Sequence, residues 1–177
     1  RRLLEHDNSR PPTSILPIGM NSEEALARLA EDGVEASLAA EWSPCLRLAD
    51  TSSVASALRA LPISIVQDPA SNLVARYADV SSGTIVADLC AAPGGKALAL
   101  SDRAARIIAL DRSESRMRMV KDNAHRTERP LELVVADANS LPLVAADVVM
   151  VDAPCTGTGT LARHPDARWR LKEEGIA

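Results

Sequence analysis

From residue 68 onward the sequence alternates short apolar segments with segments of helical periodicity, and this alternation constrains the fold more than any other feature. Helices are predicted at residues 69–79, 96–101 and 113–126, and strands at residues 84–89, 106–110, 131–136 and 147–151. Strands separated by helices pair in parallel, because each helix returns the chain to the same end of the sheet. The second part of the chain is therefore predicted to be α/β, with a doubly wound parallel sheet.

The first part of the chain has a different order of elements. Strands are predicted at residues 14–18, 34–38, 45–48 and 63–66. One predicted helix is stopped by Gly33, and a second predicted helix runs through Leu61. The order β-α-β-β-α-β is typical of a small α+β layer sandwich, ferredoxin-like or RRM-like. The sequence offers no exposed aromatic pair there, so binding of RNA by base stacking on the sheet is not expected. We predict one domain at residues 1–66 and a second at residues 67–177.

Composition excludes several classes of protein. Hydrophobic residues make up 46% of the chain, which argues against disorder. No run of about 18 apolar residues is present, so no membrane span is expected. The three cysteines are widely separated, a spacing that fits neither a disulfide framework nor a zinc site. We expect a cytoplasmic protein without a metal.

Charge is unevenly distributed along the chain. There are 20 Lys and Arg against 24 Asp and Glu, a net charge of −4, which is not the balance of a strongly basic nucleic-acid binder. Two local clusters are basic. Residues 112–129 are interpreted as a solvated helix face. In residues 163–172 the alternatives are an RNA contact and an ordinary helix start in which Trp169 fills a hydrophobic seam.

The loop at residues 90–96, here called the glycine loop, follows a buried strand and opens a helix. It reads Cys-Ala-Ala-Pro-Gly-Gly-Lys. Small residues and paired glycines let the backbone approach a ligand, although a tight strand-to-helix turn would need them too. A nucleotide triphosphatase loop would need Gly at Ala91 and Ser or Thr at Ala97, and the dinucleotide-binding glycine spacing is absent.

Acidic residues follow the next strands. Asp111, Asp137 and Asp152 each stand at a predicted strand end, where ligands of open α/β sheets bind. Asp111, one strand after the glycine loop, is where a ribose diol is held in nucleotide-like cofactors. Cys155 follows in a loop constrained by Pro154 and glycines. It is either an inert thiol, as most free cysteines are, or a reactive one.

The glycine loop and the loop that carries Cys155 resemble the corresponding motifs of the Nop/Sun (Rsm-type) family of RNA cytosine-C5 methyltransferases, especially the bacterial 16S rRNA type. The resemblance rests on Asp-Leu-Cys-Ala-Ala-Pro-Gly-Gly-Lys at residues 88–96 and Asp-Ala-Pro-Cys-Thr-Gly-Thr-Gly at residues 152–159, and on Arg-His-Pro-Asp at residues 163–166 with Trp169. It extends back through Val66-Gln67-Asp68 to Pro11-Pro12-Thr13, and so covers most of the chain.

The resemblance implies a Rossmann-like domain that uses S-adenosyl-L-methionine to methylate RNA, rRNA in preference to tRNA. It implies that the methionine and ribose part of the cofactor is wrapped by Cys90, Ala91, Ala92, Pro93, Gly94, Gly95 and Lys96. Asp111 is expected at the ribose, Asp137 at the adenine, and Asp152 near the methyl group and the target base. RNA-binding residues are expected to be Arg163, His164, Arg168 and Trp169, and the preceding small domain to contact RNA. We expect a monomer.

The resemblance also assigns roles to cysteines. In this family a thiolate usually adds to cytosine C6 from a Thr-Cys-Ser motif, and the cysteine of the Pro-Cys motif assists product release. Cys155 matches the cysteine of the Pro-Cys motif. No cysteine follows it up to Ala177, where the sequence stops. The attacking cysteine is therefore expected beyond Ala177. The chain is expected to be an incomplete piece of the enzyme, truncated before its last strands.

Three alternatives remain at this point. A catalytically inactive RNA-binding scaffold of the same fold need not bind S-adenosylmethionine. A DNA cytosine methylase typically has Gln after the Pro-Cys cysteine, where this chain has Thr156. A nicotinamide oxidoreductase would need a hydride-transfer site, and the sequence offers none.

Overall fold

The computed structural model describes residues 5, 8 and 11–170, without the side chains of residues 158, 168 and 170. By its contacts the chain divides into two compact units, one of residues 13–152 and one that combines residues 1–12 with residues 153–177. The larger unit contains both sheets described below. The predicted division of the chain at residue 66 is untested and stays a prediction.

The first sheet is antiparallel, with its strands in the order β2-β3-β1-β4. They are β1 (Ser14–Pro17), β2 (Ala36–Ala40), β3 (Ser43–Leu48) and β4 (Ser64–Val66). Helices α1 (Ser22–Glu31) and α2 (Val54–Ala60) lie on one face, where Ile15 and Leu46 pack against Ala25, Leu29 and Ala57. The predicted order of strands and helices is confirmed here.

Strand β2 begins two residues later than predicted because the end of α1 uses the preceding residues. Gly33 has φ +70° and donates its N–H to Ala30 O, and Val34 N–H donates to Leu29 O at 2.8 Å. These two bonds satisfy carbonyls at the end of the helix. Val34 is thereby engaged with the helix and is not free to begin the strand.

The second sheet is parallel, as predicted, and its strands are in the order β7-β6-β5-β8. Its strands are β5 (Ile85–Asp88), β6 (Arg106–Asp111), β7 (Glu132–Val135) and β8 (Val148–Met150). The helices of this region are α3 (Pro69–Tyr77), α4 (Gly95–Leu100) and α5 (Glu114–Arg126). One core joins the sheet to α4 and α5 through Val86, Ala97, Ala109, Met117 and Val120.

The second face of the first sheet is partly covered by the helices of the parallel sheet. Leu16, Cys45 and Ile65 form a cluster with Leu98 of α4, against which Ala124 of α5 also packs. Part of the first sheet stays accessible, since Leu38 of β2 is 49% exposed and lines a cavity together with Leu16 and Trp42. That RNA is not bound there by base stacking stays a prediction.

The basic cluster at residues 112–129 is only partly the solvated face that was predicted. Arg126 donates to the carbonyls of Pro62 (3.0 Å) and Ser64 (2.7 Å), and Arg129 pairs with Asp102 at 2.8 Å. Because hydrogen bonds to charged groups are stronger than neutral ones, these arginines fasten α5 and the loop after it to neighbouring elements. Much of this cluster's charge is therefore used inside the fold.

The smaller unit is described at residues 5, 8, 11–12 and 153–170. It contains a 3-10 turn at Thr158–Thr160 and the short helix α6 (Ala167–Arg170). None of the helices in the described ranges is both long and apolar enough to cross a membrane.

Candidate cofactor site

Four aspartates lie at the carboxyl edge of the parallel sheet. Asp88 and Asp111 are the last residues of β5 and β6, while Asp137 and Asp152 follow β7 and β8 by two residues. In parallel sheets this edge is where ligands bind, because strand ends and helix starts meet there. The structure thus brings the predicted carboxylates to one edge of one sheet.

The glycine loop is held in place by bonds to its backbone. Ala91 N–H donates to Leu110 O at 2.8 Å, Arg116 Nη2 to Ala92 O at 2.9 Å, and Asn123 Nδ2 to Pro93 O at 2.9 Å. The peptide bond between Ala92 and Pro93 is cis. The loop is therefore fixed by β6 on one side and by α5 on the other.

Gly94 requires the absence of a side chain. Its φ is +103°, a conformation that costs a residue with a Cβ but not glycine. A Cβ at this position would also lie 3.2 Å from Cγ1 of Val120 in α5. The first of the paired glycines is thus needed both for the turn into α4 and for close packing of α5.

Asp111 is a buried carboxylate with spare capacity to accept hydrogen bonds. It is 2% exposed, and its Oδ1 accepts the N–H of Ser113 at 3.0 Å. Its Oδ2 lies 3.4 Å from Arg116 Nη1, an ion-pair contact that lacks hydrogen-bond geometry, so this oxygen accepts no hydrogen bond. A buried acceptor left open in this way needs a partner.

Asp88 is the other buried carboxylate, at 1% exposed. Burial raises the pKa of Asp88 to about 6, although the Cys90 N–H and the charge of Lys96 act in the opposite direction. Burial and the carboxylates of Asp111, Asp88 and Asp152 likewise raise the pKa of the Cys90 thiol. The edge of the sheet is thus an acidic, partly desolvated environment.

The raised pKa of Asp88 predicts a pH dependence of stability. The contribution of Asp88 to the free energy of unfolding is fully present below 3.8, the pKa of this carboxyl in the unfolded chain, and is lost as the pH rises toward about 6. The reason is that Asp88 ionises more easily in the unfolded chain than in the folded one. Asp88→Asn is therefore expected to raise the free energy of unfolding at pH 7.5 relative to the parent by about 3 kcal/mol at most. At pH 4 the difference should nearly vanish. Urea unfolding at both pH values measures it.

The matched control is Asp137→Asn. The pKa of Asp137 is lowered by the backbone and side-chain N–H groups of Asn139, so its effect on stability has the opposite sign. If Asp88→Asn and Asp137→Asn change the pH dependence of the free energy of unfolding in the same way, burial of Asp88 does not control that pH dependence.

Asp152 and Asp137 are more accessible. Asp152 pairs with Lys96 Nζ at 2.5 Å and joins the end of the glycine loop to the loop after β8. Asp137 Oδ1 accepts both the backbone N–H and the side-chain amide of Asn139 at 2.8 Å. Asp137 is fixed by this turn and, unlike Asp88 and Asp111, is exposed.

The remaining predicted residues lie in the smaller unit. Cys155, Arg163 and His164 are exposed. Trp169 is 90% exposed, so it does not fill a hydrophobic seam as one alternative required. The side chain of Arg168 lies outside the described residues.

The cysteine expected to attack cytosine cannot be placed among these residues. It is predicted to lie beyond Ala177, and Ala177 itself, with residues 171–176, lies outside the described residues. Cys155 is the last cysteine of the printed sequence. The position of the attacking thiol therefore stays a prediction.

Three contributors to the site were not among the predicted site residues: Asp88, Arg116 and Asn123. Arg116 and Asn123 belong to a run interpreted as a solvated helix face, but both bind carbonyl oxygens of the glycine loop. A signal was available in their position, since they lie on the same side of the helix as Met117 and Val120 at helical spacing. No group of His, Cys, Asp and Glu suited to a metal occurs in the described part of the chain.

The parallel sheet with its glycine loop has a Rossmann-like architecture similar to that of solved methyltransferase-related structures. The crystal structure of a methyltransferase homologue from Pyrococcus horikoshii superposes with a TM-score of 0.73 at 26% identity, covering 93% of this chain and 57% of that one. The crystal structure of the protein PH0851 gives a TM-score of 0.83 at 33% identity, covering 97% and 42%.

The chain belongs to the 16S rRNA methyltransferase RsmB/F family, whose model matches residues 77–177. The ribosomal RNA small subunit methyltransferase B of Klebsiella pneumoniae is 32% identical over the whole chain, which spans 43% of that relative. The chain thus spans under half the length of this curated relative. The resemblance drawn from the two loop motifs is confirmed.

Proposed function

We propose that the full-length protein transfers a methyl group from S-adenosylmethionine to C5 of a cytosine in RNA, with rRNA the preferred substrate. The observation that carries the proposal is the buried, open Oδ2 of Asp111 beside a glycine loop at the carboxyl edge of a parallel sheet. Family membership supports the choice of RNA. That the enzyme is cytoplasmic and monomeric stays a prediction from the sequence.

The residues present suit the cofactor. A carboxylate oxygen without a hydrogen bond fits a ribose hydroxyl, which needs an acceptor. In this proposal residues 90–96 surround the methionine and ribose part, Asp111 holds the ribose hydroxyls, and Asp137 lies by the adenine. S-adenosylmethionine supplies a methyl group made electrophilic by its sulfonium. Asp152, held by Lys96, is assigned to the neighbourhood of that methyl group and of the target base.

The cysteine chemistry follows from the weak nucleophilicity of cytosine C5. Addition of a thiolate to C6 makes C5 electron-rich enough to attack the methyl group, and loss of the C5 proton then expels the thiolate. We assign the attacking thiolate to a Thr-Cys-Ser motif of the full-length protein beyond Ala177, a motif absent from these 177 residues. Cys155 is assigned to release of the product.

We further propose that the first sheet with α1 and α2 is a ferredoxin-like or RRM-like module that contacts RNA. Its antiparallel order β2-β3-β1-β4 supports this architecture. Because Leu16, Cys45 and Ile65 on its second face are packed against α4, contact with RNA is assigned to its edges and loops.

The test is methylation of 16S rRNA by the full-length protein, followed by bisulfite sequencing. We expect one cytosine to become resistant to bisulfite conversion when S-adenosylmethionine is supplied. Binding of RNA without methylation, and without affinity for S-adenosylhomocysteine, would support the inactive scaffold. Methylation on a base nitrogen or on ribose would contradict the assignment to C5.

The basic segment after Cys155 predicts a salt effect. In the full-length enzyme Arg163→Ala combined with Arg168→Ala is expected to weaken RNA binding and to reduce the slope of log K against log salt by about 1.5. Affinity for S-adenosylhomocysteine should not change. Titrations of RNA at several salt concentrations measure the slope.

A control pair removes the same charge elsewhere. Arg103 and Arg106 lie before and at the start of β6, at the edge of the sheet opposite the strand-end loops. Alanine at both is expected to leave the salt slope unchanged. If the Arg163 and Arg168 pair behaves like this control, the path of the RNA lies elsewhere.

A further inference from the structure

Gln67 and Asn72 form a buried amide pair between the two sheets. Gln67 is 5% exposed and Asn72 is 2% exposed. Asn72 Nδ2 donates to Gln67 Oε1 at 3.2 Å, and the backbone N–H of Gln67 donates to Ser14 O at 3.0 Å. Gln67 is therefore fixed through its backbone to β1 and through its side chain to α3.

Each member of the pair has one polar atom left over. Gln67 Nε2 and Asn72 Oδ1 are buried, and neither has a hydrogen-bond partner. A buried donor and a buried acceptor without partners destabilise a fold, and apolar side chains of similar size would avoid this cost. Their presence calls for a reason other than stability.

The unpaired donor of Gln67 faces the glycine loop. A Cβ built on Gly95 would lie 3.3 Å from Gln67 Nε2, so the carboxamide fills the space that a side chain at residue 95 would take. Ala91, Ala92 and Pro93 are bound by β6 and α5. In the described ranges, no hydrogen bond from another element reaches Gly94 or Gly95, and Gln67 is the polar group beside them.

We propose that Gln67 is a positioning residue for the S-adenosylmethionine loop, setting where the Gly94–Gly95 turn lies when the cofactor binds. The inference rests on the proposed function of that loop. Asn72 orients the carboxamide by bonding its Oε1, which leaves Nε2 directed at Gly95. Cofactor affinity then depends on a residue that lies between β4 and α3 and stands outside the glycine loop.

The test replaces both amides by apolar side chains of similar shape, Gln67→Met with Asn72→Leu, in the full-length protein. Removing both partners at once leaves no new unpaired group, so the thermal midpoint should match or exceed that of the parent. Affinity for S-adenosylhomocysteine by titration calorimetry should fall about tenfold. The KM for S-adenosylmethionine should rise by the same factor with kcat unchanged, a split that a purely structural role would not produce.

Two other outcomes are distinguishable. If the parent binds S-adenosylhomocysteine and the folded double variant binds within twofold of it, Gln67 does not position the loop. If the parent itself fails to bind, the proposed function fails and this inference fails with it. Asn72→Leu alone, which frees the carboxamide to rotate, is expected to give an intermediate loss. An unchanged affinity there would contradict the orienting role of Asn72.

Discussion

Replacing Asp111 by alanine is expected to weaken binding of S-adenosylhomocysteine by about 100-fold or more. The substitution removes a buried carboxylate assigned to two ribose hydroxyls, and each hydrogen bond to a charged group contributes roughly 1.5–3 kcal/mol. It also removes the ion-pair partner of Arg116, which holds the glycine loop through Ala92 O. Titration calorimetry on the full-length protein measures the loss.

Asp137→Ala is the matched control, because Asp137 is also a carboxylate at a strand end. It is exposed, and Asn139 already occupies its Oδ1, so a smaller loss is expected. Circular dichroism checks that both variants are folded. If a folded Asp111→Ala variant binds S-adenosylhomocysteine within threefold of the parent, the assignment of Asp111 to the ribose is contradicted.

Cys155→Ala in the full-length enzyme is expected to accumulate a covalent RNA–protein adduct. If Cys155 serves release, addition to C6 and methylation proceed without it, and the adduct then persists. Denaturing electrophoresis with labelled RNA should show a shifted band that disappears after protease treatment. Parent enzyme under the same conditions should show little of it.

Cys45→Ala supplies the control for this experiment, since Cys45 is fully buried in the first sheet. No adduct is expected in that variant. If Cys155→Ala abolishes adduct formation in place of trapping it, Cys155 is the attacking nucleophile and the two roles are reversed.

The parallel sheet was predictable because its strands are short, continuous apolar runs bounded by loops and helices. Asp111 could be placed at the end of its strand for the same reason, since the chain changes from apolar to polar there. Asp88 lies one residue inside the predicted strand at residues 84–89 and is the last residue of β5 in the structure. The start of β2 was not predictable. Val34 is as apolar as a strand residue, but its N–H is used by the carbonyl of Leu29.

The glycine loop could be identified from its residue types, whereas the backbone carbonyls that polar side chains of α5 bind could not. Arg116, Asn123 and Arg126 bind backbone carbonyls of Ala92, Pro93, Pro62 and Ser64. Because every residue presents the same backbone carbonyl whatever its side chain, nothing in a sequence marks which carbonyls will accept a bond. A basic run on a helix therefore looks solvated until tertiary structure shows what it reaches.

The packing of the first sheet against α4 and α5 has a consequence for how the chain folds during synthesis. Leu16, Cys45 and Ile65 leave the ribosome before Leu98 and Ala124, which complete their cluster. Contacts of such long sequence separation form late, because the intervening chain must first be ordered. The nascent first sheet thus has one apolar face uncovered until the helices of the second sheet emerge, and exposed apolar surface of this kind favours aggregation.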